Sequence, residues 1–437
     1  MLEFKTINLK RTKVETLVVP VCEDLEIHTD PTVCALIQTA KGYDEFKGEN
    51  GQTLTLYQPA DTRIVRAFFL GVGKAEKIDG ETLRCAAGKA VGFGIKAGLS
   101  ELTLATPSAS NLTIDASTIF KALMEGAVLR NHIFDRYKEK QEKKPLKRVT
   151  LTAAAAQKKA YAGLAKTVAA VCNASVSARE WVSMPANEKR PDAFAQMIYH
   201  AARSAGLEAN VMDEDWLATQ GFGAMLAVGQ GSGAAPRLVT VEYAPKGARQ
   251  TIVFVGKGVT FDSGGLNLKT SGSIENMKMD MAGAAAVAGT MLAVAQLKPD
   301  VKVVGVMPLV ENMPSGTALR PGDIVRAYTG KTIEVGNTDA EGRLILIDAM
   351  AWAIEKYKPD TLVDLATLTG ACLIALGEKI AGVFSKDRSL ADSIVAAGDA
   401  THERCWPLPM PEDYQELLKN DFADLNNMSS SRYGGAI

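Results

Sequence analysis

Short apolar runs alternate with longer amphipathic stretches over the first third of the chain. Val14 to Pro20, Arg63 to Gly71 and Leu102 to Ala105 carry the apolar, β-branched content of buried strands, whereas Glu81 to Ala97 and Ser117 to Arg130 have the composition of helices. Strands and helices alternating in this way predict an α/β unit. A heavily charged run, Lys138 to Lys147, precedes a further short strand at Arg148 to Thr152. Glu139 and Glu142 interrupt its positive charge, so it reads as a solvated loop rather than a nucleic-acid patch. The Ala-rich segment Ala153 to Trp181 has high helix propensity over more than the usual length of a globular helix. It is expected to connect two domains.

After Pro185 glycine and β-branched residues become more frequent. Leu238 to Tyr243, Thr251 to Gly256, Val301 to Leu309, Thr332 to Val335 and Thr361 to Ala366 read as strands, with helices expected at Pro191 to Ala205, Met281 to Gln296 and Leu344 to Tyr357. Near-continuous apolar strands are those covered on both faces, as in a doubly wound sheet. The expected architecture is therefore a smaller N-terminal α/β domain over residues 1–165, with its connecting helix at about 153–181. A C-terminal domain over 166–437 follows, built on a mostly parallel, helix-flanked sheet. A length of 437 residues is consistent with two or three domains, and no repeat of 20–50 residues is present.

Composition narrows the function classes. Charged residues make up 23% and the hydrophobic set 47%, and 49 Lys and Arg nearly balance 50 Asp and Glu. This is ordinary globular composition, and a net charge of -1 gives no global field to hold nucleic acid or an anionic membrane. The N-terminus has no apolar run behind a basic flank, and Met281 to Ala295 falls short of the roughly 20 residues of a membrane span. A soluble, cytoplasmic chain is expected. The six cysteines are scattered, without the short spacing of a zinc knuckle or a redox pair, and read as buried or idle thiols.

Three clusters carry the chemistry. In Val255-Gly256-Lys257-Gly258-Val259-Thr260-Phe261-Asp262-Ser263-Gly264-Gly265-Leu266-Asn267-Leu268-Lys269 a buried strand ends at Gly256. The polar, glycine-rich residues after it fall at the carboxyl edge where open α/β sheets bind ligands. Their spacing is not that of a phosphate-binding P-loop, and Gly229-Gln230-Gly231-Ser232-Gly233 reads as a turn. Met279-Asp280-Met281 sets an acid at a helix start, where a simple N-cap would also place it. Asn337-Thr338-Asp339-Ala340-Glu341-Gly342-Arg343 puts two carboxylates and an arginine just past a strand, which a capped turn could equally explain. Several carboxylates gathered at strand ends repel one another unless a cation neutralises them. Oxygen-rich sites suit divalent ions, and two ions about 3.5–4 Å apart are a recognised hydrolytic arrangement. The four histidines, His28, His132, His200 and His402, lie outside all three clusters, which argues against a histidine zinc site or a Ser-His-Asp triad.

Together these motifs resemble the dizinc leucine aminopeptidase (cytosol aminopeptidase) family. The likeness continues through Pro185-Ala186-Asn187, Leu226 to Ser232, Ala366-Thr367-Leu368-Thr369-Gly370 and Asp424-Leu425-Asn426-Asn427, covering about Ala178 to Ile437. It implies two divalent ions, Zn2+ or Mn2+. The tighter would be held by Lys257, Asp262, Asp280 and Glu341, the more exchangeable by Asp262, Glu341 and the side chain and carbonyl of Asp339. Lys257 would ligate as the neutral amine, which requires its pKa to be pushed down by the metals and by desolvation.

The resemblance further implies that Lys269 polarises the scissile carbonyl of a peptide with a free N-terminus. Arg343, with backbone groups near Leu368, would hold a bicarbonate ion as general base, and Met277, Asn337 and Thr367 would line a pocket for leucine-like side chains. A homohexamer of stacked trimers is implied as well. Family members run several dozen residues past the match to Tyr433–Ile437, so a C-terminal domain cut short is expected. Two rival readings stand beside this one: a two-metal phosphoesterase, and a non-catalytic, DNA-associated assembly.

Overall fold

The computed structural model describes residues 1–431 and 433–436; Ile437, the last residue of the expected short ending, lies outside them. The chain forms two compact units, Met1–Val176 and Ser177 onward.

The first unit is built on a six-stranded sheet of β1 (Leu2–Lys5), β2 (Val14–Cys22), β3 (Thr53–Tyr57), β4 (Ile64–Gly73), β5 (Glu101–Leu104) and β6 (Arg148–Thr152), in the order β1-β6-β5-β2-β4-β3. Only β3 runs antiparallel to its neighbour. Its helices are α1 (Pro31–Lys41), α2 (Gly80–Lys96), α3 (Ala116–Arg130) and the first part of α4 (Ala155–Ser183), within which the boundary between the units falls. β2 and β4 are the apolar runs of the sequence, and both are buried almost throughout. Residues 138–144 are exposed, as their charge requires.

The second unit contains α5 (Pro191–Ser204), β7 (Glu208–Met212), α6 (Glu214–Gln220), α7 (Gly223–Gly229), β8 (Arg237–Tyr243), β9 (Thr251–Gly256), β10 (Gly258–Asp262), α8 (Ala282–Leu297), β11 (Lys302–Asn312), α9 (Gly342–Tyr357) and β14 (Thr361–Leu365). Its main sheet has the order β14-β9-β11-β8-β7, and β10 pairs with β11 beyond the end of β9. Of these strands only β8 runs against the rest, so the sheet is mostly parallel. Strands β12 (Ile324–Arg326), β13 (Thr332–Glu334) and β17 (Leu425–Asn426) form a small second sheet. The remaining elements are α10 (Gly370–Leu376), β15 (Ala381–Val383), α11 (Arg388–Thr401) and β16 (Cys405–Pro407).

One expectation is corrected here. The Gly-rich stretch after Gly256 is not all loop: Gly258–Asp262 is a strand, and Gly258 is needed there because a Cβ would lie 2.5 Å from the Pro308 carbonyl oxygen. The helix expected at Met281 to Gln296 is α8, Ala282–Leu297. The 3₁₀ turn Ile274–Met279 precedes it, and the most apolar window of Ile274–Leu297 has a mean hydropathy of 1.3. Of that window 61% is buried, as in a core helix.

Candidate metal centre

β9, β10 and β14 all end on one edge of the main sheet, and α8 and α9 both begin there. This is the carboxyl edge at which parallel sheets present ligand sites. Lys257 joins β9 to β10, Asp262 closes β10, Asp280 precedes α8, Asp339 and Glu341 precede α9, and Thr367 and Leu368 follow β14.

Local capping does not explain the acids. The residue at the N-cap of α8 is Met281, and Glu341, at the N-cap of α9, makes no side-chain bond to its helix. Instead, one ligand oxygen each from Asp262, Asp280 and Glu341 lie within 4.8 Å of one another, and all three residues are buried.

Two lysines knit the cluster together. Lys257 Nζ, 3% exposed, lies 2.8 Å from Asp280 Oδ2 and 2.9 Å from Glu341 Oε1. It also donates to Asp280 Oδ1 and to the Thr367 carbonyl, both at 2.9 Å. Lys269 Nζ bridges Asp262 Oδ2 at 2.9 Å and Asp339 Oδ1 at 2.5 Å. Thr367 Oγ1 donates to Asp280 Oδ1 at 2.7 Å, and Asp339 N donates to Asn337 Oδ1 at 2.8 Å.

The backbone leaves room for these side chains only at glycine. A Cβ on Gly342 would sit 2.6 Å from Lys257 Cε and 2.9 Å from Leu368 Cδ1; one on Gly283 would sit 2.0 Å from the Leu365 carbonyl oxygen.

Four carboxylates against two ammonium groups leave the cluster short of positive charge. Burial lifts the Glu341 carboxyl to about 7 and the Asp280 carboxyl to about 6 despite Lys257 beside them, and burial also raises Asp339. Burial opposes the Lys257 ammonium, but Glu341 and Asp280 outweigh it and hold it above the ordinary lysine range. The protein groups alone therefore push Lys257 the opposite way from a ligating amine, leaving a cation to supply the lowering. Glu341 Oε2 is buried with no hydrogen-bond partner among the described residues, and Asp280 Oδ2 and Asp339 Oδ1 have only the close lysines, without hydrogen-bonding geometry. Orphaned, buried carboxylate oxygens around one point are the donor set a divalent cation completes.

The other expected residues lie around this centre. Arg343 is half-buried in the first turn of α9, and burial lowers its pKa against the pull of Glu341. Its guanidinium has no protein partner among the described residues. Met277 sits in the 3₁₀ turn Ile274–Met279, and its carbonyl accepts from Asp280 N at 3.3 Å. Leu368 is 42% exposed at the rim.

Asn312 and Thr338 escaped the sequence reading. Asn312, 3% exposed, donates to Asp262 Oδ1 at 2.9 Å and to the Thr338 carbonyl at 3.0 Å. Thr338 Oγ1 donates to the Gly264 carbonyl at 2.6 Å and accepts from Asn267 N at 2.9 Å. The available signal was Glu311-Asn312, two polar residues at the end of an otherwise apolar buried strand.

A buried carboxylate centre with lysines, on the carboxyl edge of a mostly parallel sheet, is that of a metal-dependent hydrolase. Comparison with known proteins specifies which. The cytosol aminopeptidase family's catalytic domain matches residues 176–437, and the same family's N-terminal domain matches 18–141. A probable cytosol aminopeptidase of Streptomyces avermitilis is 39% identical over 96% of this chain and 82% of its own length. One of Chlorobium limicola is 38% identical over 98% of this chain and 88% of its own. The solved structure of the bottromycin maturation enzyme BotP in complex with Mn superposes with a TM-score of 0.83 at 33% identity, over 96% of this chain and 87% of that one. The chain belongs to the cytosol aminopeptidase family, and it is a metal-dependent aminopeptidase, a metallo-exopeptidase. Membership decides for the peptidase reading over the phosphoesterase one.

Proposed function

We propose that this aminopeptidase releases N-terminal, preferably leucine-like residues from peptides with a free N-terminus, using two divalent ions, Zn2+ or Mn2+. The carrying observation is the convergence of Asp262, Asp280 and Glu341 within 4.8 Å around an unpartnered Glu341 Oε2. Lys257, Asp262, Asp280 and Glu341 would hold one ion; Asp262, Glu341 and the side chain and carbonyl of Asp339 would hold the other. When bound, such ions supply Lewis acidity and an acidified water. The Mn complex of BotP supports an ion of this kind.

The chain's own groups do the rest. The ammonium of Lys269, kept charged by Asp339 and Asp262 against its burial, faces the centre as a donor to a scissile carbonyl whose oxygen gains negative charge. Arg343, half-buried and unpaired among the described residues, fits a planar anion in its guanidinium fork; with backbone groups near Leu368 it would hold a bicarbonate ion, which would supply a general base. Met277, Asn337 and Thr367 would line the pocket for the substrate's first side chain. The assembly proposed is a homohexamer in the cytoplasm, with peptides as partners and neither membrane nor nucleic acid.

The test is turnover of leucine amide against N-acetyl-leucine amide, each with added Mn2+ and then with chelator. Cleavage of the free-amine compound alone, abolished by chelator, is expected. Equal cleavage of the acetylated compound would exclude an exopeptidase that reads the α-amine.

A further inference from the structure

The segment Asp424–Asn427 has no part in the chemistry above, yet it is tied to the loop that carries two of the acids. β17 runs parallel to β13, with Leu425 opposite Ile333 and Asn426 opposite Glu334. Asp424 Oδ2 accepts from Thr332 N at 2.8 Å and Thr332 Oγ1 at 2.9 Å, and Asn427 N donates to the Glu334 carbonyl at 3.0 Å. These bonds fasten the segment to the strand that feeds the loop.

The Asn427 side chain reaches the loop itself. It is 3% exposed, and its Oδ1 accepts from Gly336 N at 2.8 Å and Asn337 N at 3.2 Å. Its Nδ2 donates to the Asn337 carbonyl at 2.8 Å and the Ala340 carbonyl at 3.3 Å. Both donors and both acceptor sites of one amide are thus spent on a single stretch of backbone. That stretch ends one residue before Glu341 and contains Asp339. Thr338, between them, is locked from the other side by Gly264, Asn267 and Asn312.

We infer that Asn427 is a positioning residue for the metal centre. By clamping the backbone of 336–340 it holds Asp339 and Glu341 in place against Asp262 and Asp280. The inference rests on the proposed reading of Asp339 and Glu341 as metal ligands. Its physical basis is that ligands on a loop lose affinity by whatever freedom the loop must surrender when the ion binds, and outer partners that remove this freedom beforehand strengthen binding.

The experiment measures Mn2+ affinity calorimetrically for the full chain, for Asn427→Asp and Asn427→Ala, and for Asp424→Ala. Asn427→Asp keeps the size and the Oδ1 acceptor but sets an oxygen where Nδ2 faces two carbonyls. Both Asn427 variants are expected to bind Mn2+ about 10–100-fold more weakly. Asp424→Ala, which loosens the same segment without touching the loop, is expected to lower the melting temperature and leave Mn2+ affinity unchanged.

Wild-type affinity in the Asn427 variants overturns the inference, as does an equal loss in Asp424→Ala, which would make the effect one of general stability. A wild-type chain that binds no Mn2+ overturns the ligand reading and the inference with it. Should the Asn427 variants fail to fold, hydrogen exchange on the wild type decides, because coupling between clamp and ion is reciprocal. The Gly336 and Asn337 amides are expected to gain protection on Mn2+ binding, and unchanged protection overturns the inference.

Discussion

Glu341→Gln is expected to lower turnover of leucine amide by about a thousandfold or more, the several kcal/mol that a metal ion's charge stabilisation supplies. The substitution keeps the volume of a side chain only 2% exposed and removes its charge. Glu341 is the acid whose Oε1 meets Lys257 at 2.9 Å and whose Oε2 has no partner among the described residues. Lys257 compensates one oxygen of this carboxylate, but the buried and unpartnered Oε2 costs stability that a bound ion would return. The variant should therefore lose the rise in melting temperature that Mn2+ gives wild type. Turnover within tenfold of wild type, or an undiminished Mn2+ shift, would remove Glu341 from the site.

Lys269→Met is expected to separate catalysis from metal binding. Lys269 Nζ contacts Asp262 and Asp339, and methionine preserves most of the aliphatic stem without the charge. Loss of one preorganised donor to developing negative charge costs about 10²–10³ in kcat. Mn2+ affinity should hold or rise, because two carboxylates lose a cation that competes for them. The check is kcat and KM on leucine amide beside a Mn2+ titration. A raised KM with unchanged kcat would make Lys269 a binding group only.

How far the sequence carried this account follows from where burial leaves a pattern. β2, β4, β9 and β11 read as strands because they are covered on both faces, which makes them continuously apolar. β1 and β3 escaped notice because they lie at the two edges of their sheet and are only partly buried. α1 escaped notice too, although Asp30 followed by Pro31 is a start signal and Asp30 Oδ1 accepts from Thr32 N and Val33 N.

The acids were legible because Asp262, Asp339 and Glu341 stand just past strand-like runs and Asp280 just before an Ala-rich helix, positions that an open α/β sheet brings to one edge. The residues that orient them were not. Asn312 lies 50 residues from Asp262, and Asn427 lies 90 from Asn337. Hydrogen bonds across such separations leave no periodic trace in the chain. The lysine pKa shows a similar limit: Lys257 and its acids stand in the sequence, but only the geometry shows that, against burial, the acids hold its proton.

The most direct test of the central claim is a Mn2+ titration of the chelator-stripped chain with leucine amide turnover followed in the same samples. The account predicts no turnover before Mn2+ is added, a rise to a plateau as two ions bind per chain, and loss of both signals in Glu341→Gln. Undiminished turnover in excess chelator, or full turnover with no ion bound, would contradict it.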